Sequence, residues 1–71
     1  MSKQNYNRIK SVLAEKDKKN NWLAVQMDVN INTVSKWTTN KGQPSIETLF
    51  KIAEILEVDV RELLVSNKLL K

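Results

Sequence analysis

With one glycine and one proline among 71 residues, the chain has almost nowhere to reverse its backbone sharply without strain. A meander of short strands needs such a position about every 8–12 residues, so helices are favoured and the chain reads as all-α. Hydrophobic residues make up 41% and charged residues 28%, the balance of an ordinary globular protein. Seventy-one residues suffice for one small core and leave no chain for a second. The reading is a single domain over residues 1–66 and a short polar tail over 67–71, which is expected to be loosely ordered.

The side-chain inventory excludes most chemistry. There is no Cys and no His, which removes disulfides, the usual zinc ligands, thiol nucleophiles and imidazole bases. Ser35 and Lys36 are adjacent rather than spaced as a Ser-x-x-Lys dyad, and no Gly-rich phosphate loop exists. No enzymatic activity, cofactor, metal or small-molecule ligand is expected. No run of 18 apolar residues occurs, and the first seven residues, Met1 to Asn7, lack the apolar stretch of a secretory signal. The expected location is the cytoplasm, without a membrane partner.

Charge is unevenly placed. Twelve basic against eight acidic residues give +4, but residues 1–41 carry eight cations against Glu15, Asp17 and Asp28, a net of +5, and residues 42–71 carry four against five, a net of −1. A basic half joined to a near-neutral one points to a polyanionic partner on one side, with nucleic acid favoured over a membrane surface.

Apolar spacing then gives five helices. Tyr6, Ile9, Val12 and Leu13 share one face of a first helix over 5–16. Leu23, Ala24 and Met27 mark a second over 20–27. Asp28-Val29-Asn30 offers a tight turn with Asn30 as a natural cap, and a third helix runs from Ile31 to Thr38, burying Val34 and Trp37. The Gly-Pro segment Asn40 to Pro44 is the main loop. Ser45 caps a fourth helix with Ile46, Leu49, Phe50, Ala53 and Leu56 on one face, closing at Glu57-Val58. Asp59, with Glu62 three residues on, caps a short fifth helix carrying Val60, Leu63 and Leu64.

Residues 20–39 are the informative stretch. Two short helices joined by a three-residue turn have the dimensions of a helix-turn-helix. Such a unit needs an apolar and a small residue where its helices cross, and Leu23 and Ala24 supply them. Its turn needs a residue that tolerates positive φ, a place Asp28 can take. Its second helix must bury a β-branched and a large residue, and Val34 and Trp37 fit.

From Asn20 to Leu64 the chain resembles the XRE/Cro-type helix-turn-helix family of transcriptional regulators. The resemblance rests on Trp22-Leu23-Ala24, Thr33 to Trp37, Asn40-Lys41, Pro44 to Leu49 and Ile52-Ala53, with Asn7 to Lys10 similar to the family's first helix and Val58 to Leu64 to its last. Departures occur at Asn20, where the family often has Gln, at Asp28 in place of the turn Gly, and at Lys18 and Lys19 in place of an apolar residue and a capping hydroxyl. Trp22 stands where a charged residue is common and is read as covering the core opposite Lys18.

The resemblance implies a compact five-helix, lambda-repressor-like domain that binds double-stranded DNA specifically, as a repressor occupying an operator. In that geometry the outer face of the third helix meets base edges, which assigns Ile31, Asn32, Ser35 and Lys36 to base reading: Ile on a thymine methyl, Asn on adenine, Lys on guanine. Asn20, Asn30, Thr33, Thr39, Asn40, Lys41 and Gln43 flank that helix and are assigned to phosphates. A homodimer is implied, since one short helix reads too few base pairs to pick out an operator, and Val60, Leu63, Leu64 and Val65, followed by Leu69 and Leu70, suggest the fifth helix and tail as its surface. The alternative reading is a protein-interaction module or antitoxin-type partner protein that keeps the fold with weak or lost DNA binding.

Overall fold

The computed structural model describes residues 5–69. Four α-helices follow one another: α1 (Ile9–Glu15), α2 (Asn20–Met27), α3 (Ile31–Thr38) and α4 (Ile46–Leu56), then two 3₁₀ turns, Val60–Leu63 and Asn67–Leu69. The all-helical expectation holds, and α2 and α3 begin and end where the apolar spacing put them. Among the described residues the only strand-like pairing is one antiparallel bridge, Asn7 to Leu64.

Each helix is stopped in the same way. Asp17, Asp28, Asn40 and Glu57 adopt left-handed backbone with φ between 56 and 59°. The N–H of the residue after each one returns to a carbonyl five positions back: Lys18 to Leu13, Val29 to Ala24, Lys41 to Lys36 and Val58 to Ala53, at 2.8 to 3.0 Å. This is the bond of a Schellman stop, which glycine usually supplies because it carries no Cβ. The lone Gly42 occupies none of these four places. Asp and Asn accept the conformation with a short polar side chain, whereas Glu57 has no such relief.

Three expectations are corrected. The first helix begins at Ile9, not at residue 5, and Tyr6 is 56% exposed. Extended pairing between the chain ends wins over helix there: Arg8 N–H donates to the Leu63 carbonyl and Val65 N–H to that of Tyr6. The fifth helix is a 3₁₀ turn of four residues, because the chain must straighten at Leu64 to make that pairing. Its reciprocal cap does form, with Asp59 accepting from Arg61 N–H and Glu62 from Asp59 N–H. The Arg61 guanidinium and backbone N–H hold the Asp59 carboxyl below its ordinary range.

The third correction concerns α4. Leu49, Ile52, Ala53 and Leu56 are its buried residues, while Ile46 and Phe50 are 68% and 59% exposed. Both rows of apolar residues have helical spacing, and only packing against the 3₁₀ turn and the shared core selects one. Ile52 joins Ile9, Val12, Leu23, Val34 and Leu63 at the solvent-free centre of the core. Trp22 is half-buried against that core, with the Lys18 ammonium 4.8 Å from its ring centroid, a cation–π contact that covers the flank as expected.

Two stability measurements follow from these placements. Ile52→Ala should cost about 2–5 kcal/mol in urea unfolding, against less than about 0.5 kcal/mol for Phe50→Ala. Glu57→Gly should stabilise by roughly 0.5–1 kcal/mol, because relief of the left-handed strain exceeds the extra chain entropy of glycine.

Candidate nucleic-acid interface

The site is built on the α2–α3 crossing. Leu23 and Ala24 are buried where the helices meet, Val34 and Trp37 are buried from the other side, and Asp28 turns the chain with φ of 56°. The turn continues through Val29, and Asn30 then caps α3 by accepting from Asn32 N–H at 2.7 Å. With Val34, Trp37 and Thr38 facing the core, the helical period turns Asn32, Ser35, Lys36 and Thr39 outward. Those four, together with Lys41, line one open hollow of about 400 Å³. Asn32, Lys36, Thr39 and Lys41 are exposed and Ser35 half-buried.

Ile31, the remaining residue expected on the base-reading face, is 47% exposed. It lies on a neighbouring hollow of about 410 Å³ with Asn21, Ala24, Val25, Asp28 and Val29. It therefore belongs to the α2 edge of the surface rather than to the Lys36 hollow. A core contact through α4 does not take it up.

The flanking residues divide into two groups. Asn30 and Thr33 stand at the start of α3, and Lys41 is exposed beyond its end with its backbone N–H tied to the Lys36 carbonyl. Thr39 donates its hydroxyl to the Ser35 carbonyl at 2.8 Å. Asn20, the first residue of α2, donates its side-chain amide to the Thr38 hydroxyl at 3.2 Å, joining the start of α2 to the end of α3. Lys19 precedes it without a side-chain cap.

Asn40 and Gln43 are different, because their side chains are hydrogen-bonded to other groups of the protein although Asn40 is only half-buried and Gln43 exposed. The Asn40 Oδ1 accepts from Tyr6 N–H, Asn7 N–H and the Gln43 amide at 2.9, 3.0 and 3.1 Å, and its Nδ2 donates to the Asn7 carbonyl. Asn7 is 4% exposed. Its Nδ2 donates to the Trp37 carbonyl and to Gln43 Oε1, and its Oδ1 accepts from Ile9 N–H. The three side chains form a clasp that ties the N-terminal segment to the loop after α3. Residue spacing assigned Asn7 to a helix and missed this. The signal available was the residue type, since Asn ahead of a helix commonly accepts from the N–H two residues on.

A family model described as helix-turn-helix matches residues 9–63. The chain belongs to the XRE-type helix-turn-helix family. A crystal structure of a candidate DNA-binding protein from Bacteroides fragilis is similar at 56% identity with a TM-score of 0.82, over 83% of this chain and 95% of that one. No curated protein matches. For a helix-turn-helix protein, the hollow lies on the outer side of the second helix of the motif, and the clasp braces the loop that leaves it. Among the described residues no helix is long and apolar enough to cross a membrane.

The clasp has a measurable share in stability. Asn7→Ala leaves the Ile9 N–H without its side-chain acceptor and should cost about 1–3 kcal/mol. Asn40→Ala should cost about 1 kcal/mol more than Asn40→Gly, because alanine must also take the left-handed conformation. Urea titrations of the three variants check both statements.

Proposed function

We propose that this chain is a sequence-specific regulator of transcription that binds double-stranded DNA in the cytoplasm and represses by occupying an operator. The observation that carries the reading is the outer face of α3, where Asn32, Ser35 and Lys36 share a hollow with Thr39 and Lys41. Neither the Asn32 nor the Lys36 side chain forms a hydrogen bond or ion pair with any described residue, so their donors and acceptors are available to a ligand. Family membership and the description of the Bacteroides fragilis protein support the same reading.

In this reading α3 enters the major groove. Asn32 pairs with an adenine edge, Lys36 donates to guanine O6 or N7, Ser35 bonds a neighbouring edge, and Ile31 packs on a thymine methyl. Asn20, Asn30, Thr33, Thr39 and Lys41 hold phosphates on either side and set the register without reading sequence. Asn40 and Gln43 serve the same register by shaping the loop through the clasp. Residues 1–66 act as one DNA-binding unit. Two copies on a two-fold site place their α3 helices about 34 Å apart, one turn of DNA.

The test is a titration of selected and random duplexes at several salt concentrations. Affinity should fall steeply between about 50 and 200 mM salt as counterions are released. Asn32→Ala and Lys36→Ala should each cost roughly 1–3 kcal/mol on the selected site and relax one base preference, whereas Lys41→Ala should weaken both duplexes alike. Equal losses on both duplexes for all three variants would refute the base-reading assignment. Absence of binding at micromolar protein in low salt would refute DNA binding itself.

A further inference from the structure

Among the described residues, the surface expected to pair two copies exposes little apolar area. Leu63 is fully buried and Val60 and Val65 are half-buried, so of these four only Leu64, just past the 3₁₀ turn, is substantially exposed. Leu70 and the Leu69 side chain lie outside the described residues. The exposed apolar residues instead include Ile46 and Phe50, one turn apart on α4 at 68% and 59% exposure. We propose that this α4 stripe is the surface on which a second copy of the chain docks, helix against antiparallel helix. The proposal rests on the two-fold DNA-bound form described above and names its interface.

Charge selects the occupant. The stripe is flanked by exposed Glu47, Lys51, Glu54 and Glu57, three carboxylates against one ammonium. Nucleic acid and anionic membranes are repelled by such a face. A second copy is not, because an antiparallel two-fold pairing centred at Leu49 sets Lys51 of each copy opposite Glu47 of the other. The same register brings each Phe50 to the Ile46–Phe50 stripe of its partner.

Area argues for the same occupant. Ile46 and Phe50 offer on the order of 200 Å² of apolar surface per copy, well below the roughly 800 Å² per partner of a standard stable interface. A contact this small needs its partner at high local concentration, which two copies held on adjacent half-sites supply. The free protein should therefore be monomeric at micromolar concentration and pair on DNA.

The chain contains no cysteine, so Phe50→Cys and Leu64→Cys each introduce a single thiol. On a selected two-fold duplex, oxidation should convert most of the Phe50 variant to a disulfide-linked dimer and little of the Leu64 variant. Glu47→Lys and Lys51→Glu should each weaken paired binding about tenfold, and the two together should restore it; single half-site binding should be unaffected throughout. The proposal is overturned if wild-type protein occupies the duplex two-fold yet the Phe50 thiol does not cross-link, if the double exchange remains as weak as the singles, or if the thiol couples only to a different protein. Should the wild type bind no DNA, the regulatory reading falls, and the interface is still decided by cross-linking and sedimentation of the free protein at millimolar concentration, where an unpaired Phe50 variant would overturn it.

Discussion

Four left-handed residues direct this fold. Because Asp17, Asp28, Asn40 and Glu57 each reverse the chain in about one residue, every helix hands over to the next segment without a long loop. The return bonds satisfy carbonyls that a helix end would otherwise expose. The Asp28 turn sets how α2 crosses α3, and that crossing decides which residues of α3 meet the core. The strain is spread over four positions that lack glycine, and the only glycine lies in the loop where its freedom is not used. A Cβ there would meet the Lys36 Cβ at 3.9 Å, an ordinary contact.

Asn40 links this constraint to function. Its backbone stops α3, and its side chain gathers the N-terminal segment and Gln43. The N-terminal segment is in turn stitched to the 3₁₀ turn through Arg8, Leu63 and the Asn7–Leu64 bridge. The loop beside the Lys36 hollow is thus held by both ends of the described chain. A buried polar network of this kind is stabilising only while every member is partnered, and among the described residues no buried side-chain polar atom lacks a partner. Such bracing gives the outer face of α3 a defined position before any ligand arrives, which lowers the ordering cost of binding.

The charge asymmetry is divided among the elements. Among the described residues, the cations of the basic half are Arg8 and Lys10 at α1, Lys16, Lys18 and Lys19 between α1 and α2, and Lys36 and Lys41 on and just beyond α3, whereas α4 carries two glutamates and one lysine and is followed by Glu57.

Much was legible in one dimension. The helical class, the limits of α2 and α3, the Asn30, Ser45 and Asp59 caps and the positive φ at Asp28 all depend on neighbours within a few residues. Local propensity and spacing report such neighbours. The outer face of α3 was legible for the same reason, since burying Val34 and Trp37 forces Asn32, Ser35 and Lys36 outward. Three features were decided elsewhere. Tyr6 to Arg8 left the helix pattern because Leu63 to Val65, more than fifty residues away, offered backbone partners. Asn40 and Gln43 gained hydrogen bonds to Asn7, more than thirty residues away, which local spacing does not report. On α4, two apolar rows had equal claims, and only the position of the neighbouring helices buried Ile52 and left Phe50 in solvent. Periodicity specifies that a helix has an apolar side, but contacts distant in sequence decide which part of that side the core can reach.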